Sequence, residues 1–255
     1  MSRFFLSQHP TFGSYSNPVK HRVEASPYFF WWLALTHNEE YTELCRNPHE
    51  NRFETNEPIQ RVYADFGDVR YEGNRYIAFA QWWKGKVTNG EKRGEFLFAE
   101  PMTEKRVKLV TDTEEAQRLI NSEDELLIRV SRGMQKKHID NALKRIFDKE
   151  LSFEKGRQTR NPNRSNARYS LSSPVSTDNL KMAFEIYEMT VQARCDAKKL
   201  KNQQIAEAVG LRIEKRSTDD VADRASDNRA LSVAVSRKRK TAADAIANVV
   251  KGVFP

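Results

Sequence analysis

Residues 28–35 read YFFWWLAL, eight consecutive aromatic or aliphatic side chains. Ser26 and Pro27 stand just before them, a helix cap followed by a proline at the first helical position, where its missing N–H costs nothing. The pattern predicts a helix from Pro27 to about Arg46, ending before Asn47-Pro48. Phe29, Trp32, Leu33, Thr36, Tyr41 and Leu44 share one side at helical spacing. Phe30, Trp31 and Leu35 fall on other sides, so the helix has to be surrounded rather than laid on a surface. The run is far shorter than the ~20 residues a membrane-spanning helix needs. It therefore demands a core around it.

Candidates to build that core follow closely. Helices are expected near Ile59–Phe66, stopping at Gly67, and over about Tyr76–Trp83, stopping before Gly85. Trp31, Trp32, Trp82 and Trp83 then meet in one aromatic cluster. Such clusters also stack bases in single-strand binders. Here the residues sit on apolar helices rather than among cations, which favours packing.

From Gly94 the character changes. EFLFAEP, KRVKLV and ELLIRVS read as short strands, the last two alternating apolar with charged side chains. A short helix starting at Thr111 or Asp112 lies between the latter pair, and Met134–Leu151 forms an amphipathic helix through Ile139, Leu143, Ile146 and Phe147. A small sheet with a covering helix is expected. Residues 154–176 are polar, basic and rich in Asn, Ser and Pro, which marks a linker. The fold class is thus α+β and mostly helical: an irregular arm (1–25), an α+β domain (26–153), the basic linker (154–176) and a helical, helix-turn-helix-like domain (177–255).

The chain of 255 residues carries 43 Lys and Arg against 35 Asp and Glu, a formal charge of +8. That excess favours phosphate-rich or acidic partners without bearing on fold. Cys45 and Cys195 form neither a disulfide framework nor a zinc motif. The first residues lack the continuous apolar stretch of a signal peptide. A cytoplasmic protein without cofactor or membrane partner is expected.

The C-terminal region carries the most informative motif. In LKNQQIAEAVGLRI, Asn202 can cap a short helix whose Ile205, Ala206 and Val209 face inward. Gly210 ends it, and Leu211 returns to the core. This is the layout of the first half of a helix-turn-helix, or of an ordinary helical hairpin. A compact version would begin its second helix a few residues after Gly210, whereas here a polar stretch through Asn228 intervenes. Asp227 or Asn228 then caps a terminal helix whose packing side is Leu231, Val235, Ala242, Ile246 and Val249. Arg229, Ser232, Ser236, Arg237, Lys238, Arg239 and Lys240 lie largely elsewhere and suit duplex DNA: Arg forks to guanine edges, while Lys, Ser and Arg hold phosphates. Gln203 and Gln204 are placed to touch the backbone. Arg160, Arg164 and Arg168 punctuate the linker and can follow a phosphate chain. A solvated basic face with no ligand is the plain alternative.

SPYFFWWLALTHNEEY, YADFGDV, FAQWW, GEFLFAEP, SEDELLIRVS and the ending VSRKRK…AIANVVKGVFP resemble a family of uncharacterised bacterial proteins carried on prophages, plasmids and integrative elements. The similarity runs from Ser26 nearly to the end. It implies a mobile-element protein with a C-terminal helix-turn-helix, and it carries over no catalytic residue.

An enzyme is the rival class. Asp65, Asp68 and Glu72 surround YADFGDVRYEG, and paired carboxylates can hold Mg²⁺ or move protons. No Glu-x-Lys core, histidine pair or phosphate loop accompanies them. The plainer reading is that Asp65 and Asp68 cap helices and fix the Gly67 turn. Three functions follow from these features. One is a regulatory or accessory DNA-binding protein that uses its N-terminal domain for self-association or a partner. The others are a protein-interaction subunit of an element-encoded complex and, more weakly, a metal-dependent nuclease.

Overall fold

The computed structural model describes residues 5, 12–14, 16–49, 56–100, 110, 112–120, 127–131, 133–150, 165–172, 176–197, 199–212 and 221–255. Among them are eleven helices and two isolated β-bridges, Gly13 with Pro18 and Lys86 with Lys92, but no strand. The chain divides into two compact units. The first joins residues 1–101 to 161–255, and the second is residues 102–160.

The first unit is built around the YFFWWLAL run. Helix α1 (Lys20–Glu24) leads to α2 (Pro27–His37), in which every residue from Pro27 to Leu35 is buried. The expected single helix to Arg46 is broken at Asn38, and α3 (Glu39–Arg46) follows. The Asn38 side chain accepts the N–H of Tyr41 and so caps α3, which an asparagine does better than it continues a helix. Helix α4 (Glu57–Phe66) is capped by Asn56 and ends at Gly67, whose φ of 66° suits a residue without Cβ. Helix α5 (Arg75–Lys84) is capped twice over by Asn74.

EFLFAEP is not a strand. Residues Arg93–Phe98 form helix α6, with Leu97 and Phe98 buried. A short apolar run fits either form, and here contact with α5 decides: a Cβ on Gly94 would lie 2.0 Å from the Trp83 ring, so glycine lets α6 lie flat on that indole. Among the described residues, the remaining strand candidates form no sheet. Residues 127–131 are irregular, and KRVKLV falls outside the described residues except for Val110.

Nor is the C-terminal region a separate domain. Helices α9 (Thr177–Cys195), α10 (Asn202–Ala208) and α11 (Val221–Val249) belong to the same unit as α2. Phe184, Ala242, Ala245, Ile246, Val249 and Phe254 share one continuous core with Trp31, Trp32, Trp82 and Trp83. The Trp31 ring lies 5.2 Å from Phe254 and 5.8 Å from Tyr169. The expected 154–176 linker is therefore no boundary along 165–172. There the Tyr169 N–H donates to Leu97 O, and the Ser172 N–H to Phe254 O. The expected irregular arm likewise buries Phe5, Phe12 and Val23. Residues near both termini thus supply part of the apolar surround that α2 requires.

A smaller cluster, Ile186, Ile205, Ala206 and Val235, seats α10 on α9 and α11. Gly210, with φ 68°, ends α10 as expected, and Leu211 N–H returns to Ala206 O at 2.8 Å. Among the described residues, no compact helix-turn-helix is present. The next described helix, α11, begins only at Val221, runs for 29 residues and sinks its last turns into the main core. Asn202 is not the cap of α10 either: Lys201 holds that position, its N–H bonded to Gln204 Oε1.

The second unit holds α7 (Thr113–Ile120) and α8 (Lys136–Glu150). Ile139, Leu143, Ile146 and Phe147 are half-buried along α8, while Ile120, Leu127, Val130 and Met134 are exposed. Among the described residues, no helix is long and apolar enough to cross a membrane.

Candidate nucleic-acid interface

Helix α11 has a sharply divided circumference. Val235, Ala242, Ala245, Ile246 and Val249 are buried, and Leu231 is half-buried. At 100° per residue, the direction opposite to this side is taken by Arg229, Val233, Arg237, Lys240 and Asp244. All five are exposed. Arg229 and Lys240 lie about 16 Å apart along the axis, with Arg237 between them. Among the described residues, none of these three cations makes an ion pair.

The other candidates on α11 are turned differently. Lys238 Nζ donates to Asn179 Oδ1 at 2.7 Å and ties α11 to α9. Ser232 Oγ accepts from Asn202 Nδ2 at 2.7 Å, so the start of α10 covers that hydroxyl. Ser236 and Arg239 are half-buried. The four successive cations therefore do not act as one patch: Arg237 and Lys240 face solvent, Lys238 is engaged and Arg239 lies between.

Outside α11 the candidates separate further. Gln203 is exposed, whereas Gln204 is occupied by the Lys201 N–H. The Asn202–Ser232 bond brings the exposed Lys201 beside α11, a cation the spacing argument passed over. Its signal was the basic run before the Asn202 helix. Arg168 is not a free linker arginine. Its Nε donates to Asp65 Oδ2 at 2.7 Å, its guanidinium lies over the Phe96 ring, and the Asp65 bond raises its pKa. Arg160 and Arg164 lie outside the described residues.

Asp65 and Asp68, on either side of Gly67, are spent on structure, though not as caps. Asp65 is buried and accepts from Arg168 and from the Tyr169 hydroxyl, also at 2.7 Å. Burial and that carboxylate together raise the Tyr169 pKa. Asp68 accepts from the backbone and guanidinium of Arg70. Burial pushes its carboxyl up, but the Arg70 bonds outweigh this and hold it below its usual value. The Gly67 turn is held instead by Tyr41, whose hydroxyl donates to Gly67 O at 2.8 Å. Glu72 is exposed. Among the described residues, no three His, Cys, Asp or Glu side chains converge as a metal site.

Fold and surface together define a mostly helical protein with an aromatic core and a basic outer face on its last helix. No protein family, no curated protein and no solved structure matches the chain.

Proposed function

We propose that the chain is a DNA-binding protein of a bacterial mobile element, regulatory or accessory to a nucleic-acid-acting complex, which grips duplex phosphates with α11. The observation that carries this reading is the set Arg229, Arg237 and Lys240: exposed, in one angular sector, and unpaired among the described residues. Surface cations meant only for solubility are commonly interleaved with acids, and Asp244 is the single acid in this sector. Lys201 and Gln203 extend the surface at the start of α10. The resemblance of the chain to mobile-element proteins supplies the biological setting. Binding of this kind is dominated by counterion release, so it weakens steeply with salt.

Mobility shift of duplex DNA at two salt concentrations tests the reading. Three phosphate contacts predict a slope of about −3 in log affinity against log salt. No shift at low salt, or an unchanged slope when all three cations become Ala, overturns it.

A second reading, a protein-interaction subunit, is favoured by the exposed Ile120, Leu127, Val130 and Met134 of the second unit. Exposed apolar side chains mark a partner surface where they join into one contiguous patch.

A further inference from the structure

The guanidinium of Arg93 is charged, partly buried and unanswered. Arg93 opens α6, and its backbone N–H donates to Gly85 O at 2.7 Å. Its side chain lies between two glycines. A Cβ on Gly67 would stand 3.3 Å from Nη2 and 3.4 Å from Cζ, and one on Gly85 would stand 3.8 Å from Nη1. Both walls of the slot are thus backbone without side chain, which brings the guanidinium plane close to the main chain.

A guanidinium has five N–H donors and no acceptor. At Arg93 none of the five is answered among the described residues. Nε is shut off from solvent without a hydrogen-bond partner, and among the described residues no carboxylate pairs with the group. Nearby, Gly67 O accepts from the Tyr41 hydroxyl and Phe66 O from Trp82 Nε1, and neither accepts from Arg93. Three other arginines provide the contrast. Arg70, Arg75 and Arg168 each rest on a carboxylate, of Asp68, Glu188 and Asp65 respectively. Burial lowers the pKa of Arg93, whereas those three are raised.

A side chain kept only to fill the slot has no need of charge, since an apolar residue of similar length fills it without the desolvation cost. A guanidinium placed against glycine backbone and unpaired among the described residues is suited to a group that arrives from outside. We propose that Arg93 is the cation of an oxyanion-binding site, taking one phosphate or carboxylate group on its terminal nitrogens. Nε is enclosed, so the group approaches the Nη1–Nη2 edge, where two parallel N–H bonds meet two oxygens. Lysine keeps the charge but lacks the fork. The site is independent of the α11 cations.

The test uses the full chain and its arginine side-chain N–H resonances. Inorganic phosphate, acetate and chloride are titrated separately at constant ionic strength, and melting temperature is followed in parallel. The Arg93 resonances are expected to move saturably with phosphate or acetate but not chloride, with a matching rise in melting temperature. A response to phosphate alone identifies a phosphate group as the ligand, and one to acetate alone a carboxylate. Arg93→Gln is expected to abolish the melting response and Arg93→Lys to weaken binding several-fold. The Arg229, Arg237 and Lys240 triple-Ala chain should keep the response, which separates this site from the DNA surface. Resonances indifferent to both oxyanions, an equal response to chloride, or an undiminished melting response in Arg93→Gln overturns the proposal. Should Arg93→Gln fail to fold, the resonances of the parent chain decide.

Discussion

The side-chain amide of Asn38 donates to the carbonyl of Ile246 at 2.8 Å, joining residues 208 positions apart. The same side chain caps α3 through the N–H of Tyr41. One asparagine therefore breaks the long N-terminal helix and fastens the last turn of α11 to the break. Asn38→Ala loses a cap and a buried hydrogen bond together, and should cost about 1–3 kcal/mol. Urea denaturation measures this, and Asn38→Asp should recover the cap but not the bond to Ile246.

The shared core makes a fragment prediction. Residues 1–153 alone lack Tyr169, Phe184, Ala242, Ile246 and Phe254, all buried in the same cluster as Trp31. The fragment should fail to fold cooperatively, with exposed aromatic surface detected by dye binding and a tendency to aggregate. A sharp two-state melt of the fragment would show that the N-terminal helices are self-sufficient.

Glu188 sits between Arg75 Nη1 at 2.6 Å and His37 Nε2 at 3.0 Å. Burial pushes its carboxyl up, but the bonds from His37 and Arg75 prevail and hold it below the usual carboxylate range. A carboxyl whose folded pKa is depressed contributes stability above its unfolded pKa. That contribution is lost as pH falls through the folded value. Stability should therefore decline below about pH 5. Glu188→Gln should be less stable near neutrality and should flatten part of the decline. Denaturation series at stepped pH check this; a curve parallel to the parent at every pH would remove Glu188 from the account.

The cations of α11 should separate by their present contacts. Arg237→Ala and Lys240→Ala should each reduce the salt slope of DNA binding by about one unit without changing stability. Lys238→Ala, which removes the bond to Asn179, should affect binding less than either. Mobility shifts over a salt series, paired with melting curves, distinguish the three. Equal loss of binding on all three substitutions would point to a distributed charge effect rather than to an oriented face.

Much of the local structure was legible in the residues themselves. Pro27 starts α2, Gly67 and Gly210 stop their helices, and the spacing of Val235, Ala242, Ile246 and Val249 marks the packing side of α11. These are nearest-neighbour effects: a cap, a φ available to glycine, a 3.6-residue period. The need to surround YFFWWLAL was equally plain, because a helix apolar on every side has no stable exposed face.

What surrounds it was decided only in three dimensions. Nothing local says that Phe254 and Tyr169 close over Trp31, or that Asp65 is answered by Arg168 across 103 positions. The EFLF of EFLFAEP lies in a helix in which Gly94 meets Trp83, a contact with no signature in periodicity. The candidates on α11 were divided by the same means, since Asn179 and Asn202 come from other helices to engage Lys238 and Ser232. Sequence determines which segments curl and where they stop, through interactions a few residues long. The partner of each face, and so which charges remain free for a ligand, is set by burial and hydrogen bonding between segments that meet only when the chain is folded.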